Sequence, residues 1–393
     1  MWIAVFYFLY VGANGILTPY LPLYFKSIGF SPKQTSSILS MGPLMIFASP
    51  VWGWIADRTG KLTLILKLAS AGAAISFAFL PGISAFPAVL GVYCVYAMFS
   101  STISSLADSV AVLEAKRIGT EYSRLRLWGS IGYIVTTYAF GIYLSHGGEN
   151  HDVIAAGLMF ILLYMLEGLA LKTEQPATRK APPSLADAAR LLHDPALVTF
   201  LIAGTIHWIA LWAYYFAFSL HLQKLSIGPE YVGIAGCFAV VAEVLVMWGF
   251  RGMQRRLPLM GVIAFSFIVS ALRWFLVANV TGALALAAIQ ALHGFTFGAF
   301  FVGSIVYLER TIPEQLRATG RALFAAVVFG IGGIVGSALA GARFESGGGK
   351  SAFMTSAVLE LFAPLVLLLS AWFSRRAKLA TTAPQEEAAQ PCE

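Results

Sequence analysis

Twelve times along these 393 residues a run of about twenty apolar residues ends in a short polar turn. About 20 such residues in a helix span the hydrocarbon of a bilayer. The runs lie at about 2–25, 34–55, 62–80, 86–115, 123–145, 153–171, 196–222, 230–250, 259–278, 283–307, 319–342 and 351–373. No stretch of about 50 residues is free of one, so no separate soluble domain is expected. Only 11% of the residues are charged, against about 25% in soluble proteins. The fold class expected is an all-α integral membrane protein of twelve transmembrane helices. The first run begins at Trp2 and is too long for the apolar core of a cleaved signal peptide, so it is expected to stay as a span.

The basic residues are sorted by side. With the N-terminus inside, 20 of the 26 Lys and Arg fall in the inner turns and five, Lys26, Lys33, Lys224, Arg343 and Lys350, in the outer ones. That asymmetry predicts two cytoplasmic termini and accounts for the net charge of +7 without a nucleic-acid partner. The longest polar insert, TEQPATRKAPPSLADAARLLHDP, follows the sixth run. It is basic and Pro-rich, and its ADAARLLH portion suits a short surface helix. The chain therefore divides into a first bundle, 1–171, a cytoplasmic linker, 172–195, a second bundle, 196–373, and a polar, low-complexity tail, 374–393, expected to be disordered.

Arg273 is the one remaining cation, alone in FSFIVSALRWFLVANV. A charge at such depth costs roughly 2.5–3.5 kcal/mol on insertion scales, so it must face a wet cavity or a partner. Glu243 in GCFAVVAEVLVMWG and His293 in ALHGFTFGAFFVG lie in neighbouring runs. Three ionisable groups buried together imply a path for protons, ions or polar solutes. Desolvation favours the neutral carboxyl of Glu243, and an approaching guanidinium favours the charged one. That opposition can couple a proton to a solute, the plainer alternative being a permanent Glu243–Arg273 ion pair. Histidine is the side chain whose unperturbed pKa lies nearest neutrality, so His293 is suited to relay or binding, or is a satisfied core histidine. His207, in AGTIHWIALWAYYF, poses the same choice.

Other chemistry is excluded. No phosphate-binding loop supports ATP-driven pumping, no His or Cys spacing suits a metal, and no nucleophile–base arrangement suits an enzyme. No cofactor beyond a coupling proton is expected. Cys94, Cys237 and Cys392 are too scattered for a disulfide framework. A monomer in the lipid bilayer, with a small-molecule solute as its partner, fits these features.

The turn after the second run reads GWIADRTGK. Its Gly53, Asp57, Arg58, Gly60 and Lys61 resemble the signature G-x-x-x-D-R-x-G-K of the major facilitator superfamily. PEQLRATGR, between runs ten and eleven, is also similar to that superfamily, whereas the second half's WGFRGMQRRLP is degenerate, with Met253 in the Asp position. The resemblance covers the whole chain. It implies two pseudo-symmetric six-helix bundles with a solute site between them near the midplane. Asp57 can accept from the unpaired amides of a helix N-terminus, so its turn is expected to gate the cytoplasmic side against the start of span eleven, near Ala318 and Thr319.

Within that superfamily the chain resembles the sugar–proton symporters typified by lactose permease. Asp108 precedes Arg126 by eighteen positions, as that group's substrate-binding pair does, and Glu243, Arg273 and His293 follow in its order. Gln290 and Thr296 stand where the group has Lys and its proton-coupling Glu, so that coupling role does not carry over. GILTPYLPLYFKSIGFSP, LADS, YSRLRLWGS and ALHGFTF are most similar to the phenylpropionate permease branch. The resemblance implies proton-coupled import of a small organic solute across a bacterial inner membrane. Glu243, His293 and Arg273 would couple the proton, and Asp108 and Arg126 would bind substrate. Asn14, His207, Trp212 and Tyr215 are further candidates for lining the site, the aromatic ones suiting a ring-bearing organic acid. Sugar, nucleoside and siderophore transport, facilitation, antiport and a non-transporting sensor or scaffold are the competing readings. Glu360, midway along the last run, has no evident role.

Overall fold

The computed structural model describes residues 2–172 and 185–382, with side chains through 373. Ten helical segments are long and apolar enough to cross a membrane. One of them, Glu314–Phe373, breaks at Gly348 (φ 68°, ψ −163°) and holds two crossings. The shorter apolar helix Leu62–Ala78 completes twelve. We number the crossings α1 Trp2–Ser27, α2 Pro32–Thr59, α3 Leu62–Ala78, α4 Phe86–Ile118, α5 Tyr122–Ser145 and α6 Asp152–Ala170. The second half holds α7 Pro195–Lys224, α8 Glu230–Arg256, α9 Leu259–Asn279, α10 Ala283–Thr311, α11 at 317–347 and α12 at 349–382.

Local chemistry explains the joints. A Ser31–Gln34 capping box opens α2, satisfying amides that its first turn would leave unpaired. Pro43 and Pro50 lack the amides that Leu39 and Ile46 would bond in a regular helix. Accordingly α2 runs in three pieces, Pro32–Leu39, Met41–Met45 and Ser49–Thr59, where the apolar pattern predicts one. Gly60 (φ 69°) ends α2 in the left-handed conformation that glycine reaches without strain. Leu185–Leu191 is a short helix, while 173–184 lies outside the described residues. The tail departs from the expected disorder over its first part. The last helix continues to Thr382, and 383–393 lies outside the described residues.

The two halves repeat one packing scheme. α1 packs on α5 and α6, and α7 packs on α11 and α12; α4 packs on α2, and α10 on α8. This is the major facilitator fold of two six-helix bundles. α12 is two-sided. Leu361, Leu365 and Leu368 are exposed outward, and Glu360, Ala363 and Leu367 are buried against the bundle.

Bonds that cross between the halves gather at the ends remote from the termini, called here the distal side. Lys33 pairs with Glu345 at 3.2 Å and Lys26 Nζ donates to Gln223 at 2.7 Å. Ser337 donates to the Ser36 carbonyl at 2.8 Å, and Tyr20 donates to the Thr137 carbonyl of its own half at 2.8 Å and reaches Pro229 O at 3.4 Å. α11 is striped. Gly332 and Gly336 lie against the α7 backbone at Thr205 and Ile209, whereas Gly333, Ser337 and Gly341 lie against Pro43, Ser36 and Pro32 of the other half.

Candidate functional site

Between the halves lie two adjoining chambers. The first, of 320 Å³, is lined by Asn14, Thr18, Tyr93, Tyr96, Ser100, Trp208, Trp212 and Tyr215, with Pro43 of the broken α2. The second, of 300 Å³, is lined by Thr18, Arg126, Tyr133, Tyr214, Tyr215, Glu243, His293 and Phe297. Thr18 and Tyr215 belong to both, so the chambers meet there. The first is a cage of rings with hydroxyl and amide tips, and the second holds the charges. Asn14, Trp212 and Tyr215 thus sit on the first chamber, and Asn14 donates its amide to the Tyr10 carbonyl at 2.9 Å.

Asp108 of α4 and Arg126 of α5 meet as the eighteen-residue spacing suggests, with Nη1 3.0 Å from Oδ1. Tyr7 of α1 and Tyr122 of α5 donate to the same oxygen at 2.5 and 2.9 Å. Three donors on one carboxylate oxygen hold Asp108 in place, while Arg126 reaches the second chamber with half its side chain exposed. The two tyrosines were not identified from sequence. Tyr122 stands within the YSRLRLWGS segment, but nothing along the chain marks Tyr7 as its partner.

The permanent Glu243–Arg273 ion pair, the plainer alternative, does not form. Arg273 is fully buried and donates through Nε and Nη2 to Gln290 Oε1 (3.1 and 2.6 Å), and through Nη1 to His293 Nδ1 (3.0 Å) and Thr296 Oγ1 (2.9 Å). Its guanidinium also sits 4.4 Å from the Trp274 ring centroid and 4.9 Å from that of Tyr214. Neutral acceptors and π faces therefore satisfy the buried cation. Gln290 and Thr296, the two departures from the symporter pattern, supply most of that satisfaction. Because an arginine only donates, His293 Nδ1 must accept, which places its proton on Nε2. Nε2 faces Glu243 at 3.9 Å, beyond direct bonding. Gly294, in the π-helical turn Gly294–Ala299, lets α10 come this close: a methyl there would lie 2.5 Å from the Ala242 carbonyl of α8.

His207 does not line either chamber. It is fully buried, with Nδ1 2.9 and 3.0 Å from the two oxygens of Glu360 and Nε2 2.7 Å from the Thr296 carbonyl. Ser270 donates to Glu360 at 2.5 Å. Glu360 thus has partners, found across 153 positions of sequence. In the α2–α3 turn Asp57 and Arg58 are exposed, Arg58 lies 5.3 Å over the Trp54 ring, and Gly53 has open space where a side chain would stand. Among the described residues no cluster of His, Cys, Asp and Glu could hold a metal ion.

The family model described as MFS_1 like family matches residues 1–355. The uncharacterized transporter YwbF of Bacillus subtilis (strain 168) is 26% identical over 83% of this chain and 81% of its own. A probable 3-phenylpropionic acid transporter of Escherichia coli (strain K12) is 25% identical over 84% of this chain and 87% of its own. Among solved structures, the nucleoside transporter NupG superposes with a TM-score of 0.80 at 18% identity, over 96% of this chain and 98% of that one. That likeness is one of fold.

Proposed function

Because the chain belongs to the MFS_1 like family, whose matched relatives are membrane transporters and not enzymes, we propose that it is a proton-coupled symporter importing a small aromatic organic acid. The observation that carries this reading is the second chamber, where Arg126, Glu243 and the Nε2 proton of His293 share one 300 Å³ space. A carboxylate solute would meet the guanidinium fork of Arg126, which matches it geometrically. Its ring would enter the first chamber, between Tyr93, Tyr96, Trp208 and Trp212. Glu243 would take the coupling proton, since a desolvated carboxyl can hold one beside an arriving anion. The name of the Escherichia coli relative supports an aromatic acid.

With the basic turns in the cytoplasm, the distal side, where the halves are bonded together, would be the outer one, and the chambers would be reached from inside. The cycle would close the Asp57 side and open the distal side by rocking one bundle on the other. Facilitation without a proton is the second reading. It is favoured by Thr296 standing where the resembled symporters have their coupling Glu.

Proteoliposomes holding a pH-sensitive dye test both. Addition of 3-phenylpropionate should drive proton entry with the solute, and maltose, xanthosine and a siderophore should not. Solute entry with no proton movement would replace symport by facilitation. Entry of only a sugar, nucleoside or siderophore would replace the aromatic acid.

A further inference from the structure

Behind the second chamber, and apart from it, α7, α9 and α12 close around three polar side chains. His207, Ser270 and Glu360 are each fully buried. Their bonds dictate where protons sit. Nε2 of His207 lies 2.7 Å from the Thr296 carbonyl, which only accepts, so Nε2 carries hydrogen. Nδ1 lies 2.9 and 3.0 Å from the carboxyl oxygens of Glu360. An ionised carboxyl there requires a proton on Nδ1. A bare Nδ1 requires a proton on the carboxyl. Either assignment leaves one proton in the contact. Its removal would set a lone pair against a carboxylate in a space without solvent, and a buried acceptor left without its donor is costly.

We propose that the His207–Glu360 pair binds one exchangeable proton and is a proton-carrying site of the transport cycle, separate from Glu243. The inference rests on the proton-coupled reading above. Thr296 links the pair to the chamber: its carbonyl takes His207, and its hydroxyl takes Arg273, which also holds His293. Thr296 lies in the π-helical turn of α10, where regular pairing is interrupted. A shift of that turn therefore changes the grip on His207 and on Arg273 together.

The charged or titratable groups facing the pair are Arg273 from α9 and His293 from α10, with Glu243 of α8 beyond His293. α11 has no charged residue between Arg321 and Arg343. Along α7 the next histidine, His221, is about four turns away. The rings of Phe267 and Phe300 cover His207 at centroid distances of 4.9 and 4.5 Å.

Glu360→Gln separates a proton site from a structural tie. The amide of glutamine can donate to Nδ1 while its oxygen accepts from Ser270, so both bonds persist without an exchangeable proton. Two measurements on the full chain are needed. In the first, thermal unfolding of purified protein is followed as a function of pH. Release of the shared proton should lower the wild-type midpoint relative to Glu360→Gln as pH rises; parallel curves would overturn the proposal. In the second, proteoliposomes are given 3-phenylpropionate. Glu360→Gln should lose accumulation against a gradient and keep exchange, whereas accumulation equal to wild type would overturn the role in the cycle. If the wild type itself shows no proton-linked uptake, the symport reading falls, and the thermal comparison alone decides whether the pair holds a proton. Should Glu360→Gln not fold, His207→Gln is read in the same two assays. If neither folds, the pair is a structural tie and the proposal is overturned.

Discussion

Replacing Gly233 by alanine should push the protein out of the conformation described here. Gly233 lies on α8 where that helix crosses α5 of the other half. A methyl at that position would sit 2.5 Å from the Tyr138 Cα and 3.0 Å from the Thr137 carbonyl, whereas ordinary contact begins near 3.4 Å. The obstructing atoms are backbone, so no rotamer change relieves them, and the helices must separate by about 1 Å. Overpacking of this kind costs typically 1–3 kcal/mol. In the proposed cycle α5 and α8 part as the distal side opens, so the cost would fall only on the state in which that side is shut. The helix itself prefers alanine to glycine by about 1 kcal/mol, in both states alike. A differential of 1–3 kcal/mol moves a two-state equilibrium roughly 5-fold to 150-fold. The assay is a spin-label distance between Arg124→Cys on α5 and Arg251→Cys on α8, in a background with Cys94, Cys237 and Cys392 replaced by Ser. Adding Gly233→Ala should transfer population from the long distance to a short one, as the terminal side closes. Superimposable distance distributions with and without Gly233→Ala would refute the reasoning.

Three further outcomes are expected. Glu243→Gln should abolish proton-driven accumulation of 3-phenylpropionate and spare counterflow, and equal loss of both would remove Glu243 from coupling. Arg126→Lys and Asp108→Asn should each weaken 3-phenylpropionate binding by about tenfold or more, since hydrogen bonds to charged groups contribute about 1.5–3 kcal/mol each; calorimetry that finds unchanged affinity in both would make the pair a packing device. Asp57→Ala should raise the population open on the terminal side and slow net uptake with little change in affinity. The same label pair checks it, and an unaltered distribution would exclude a gating role.

The crossings were legible because a bilayer demands about twenty apolar residues per span, and little else in a sequence produces that run twelve times. The breaks within α2 were less so. Pro43 and Pro50 are visible, but a span tolerates proline where neighbouring groups take up the freed carbonyls, and only the packing shows where it does not stay straight. The buried ionisable residues stood out for the reason that makes them costly. Their partners did not, because a bond such as His207 to Glu360 joins positions 153 apart. Charge alone offered Glu243 or an anionic solute as the partner of Arg273. The fold instead brings Gln290, His293 and Thr296 to it, and neutral acceptors are silent in a reading by charge. His207 was assigned to the cavity on its type, and the side of α7 that it occupies was set by packing against α9 and α12.

Under the proposed rocking cycle the two stripes of α11 would belong to different timescales. Gly332 and Gly336 meet a neighbour in their own bundle, which the proposed rocking of whole bundles would leave in place. A bulkier residue there burdens all conformations equally and is felt at assembly. Gly333, Ser337 and Gly341, one helical step away, meet the other half, a surface that the proposed cycle would leave and find again in each round. In that cycle their smallness would govern how long one conformation lasts. One helix thus carries, on adjoining faces, a hinge leaf screwed to the door and a latch that must release it.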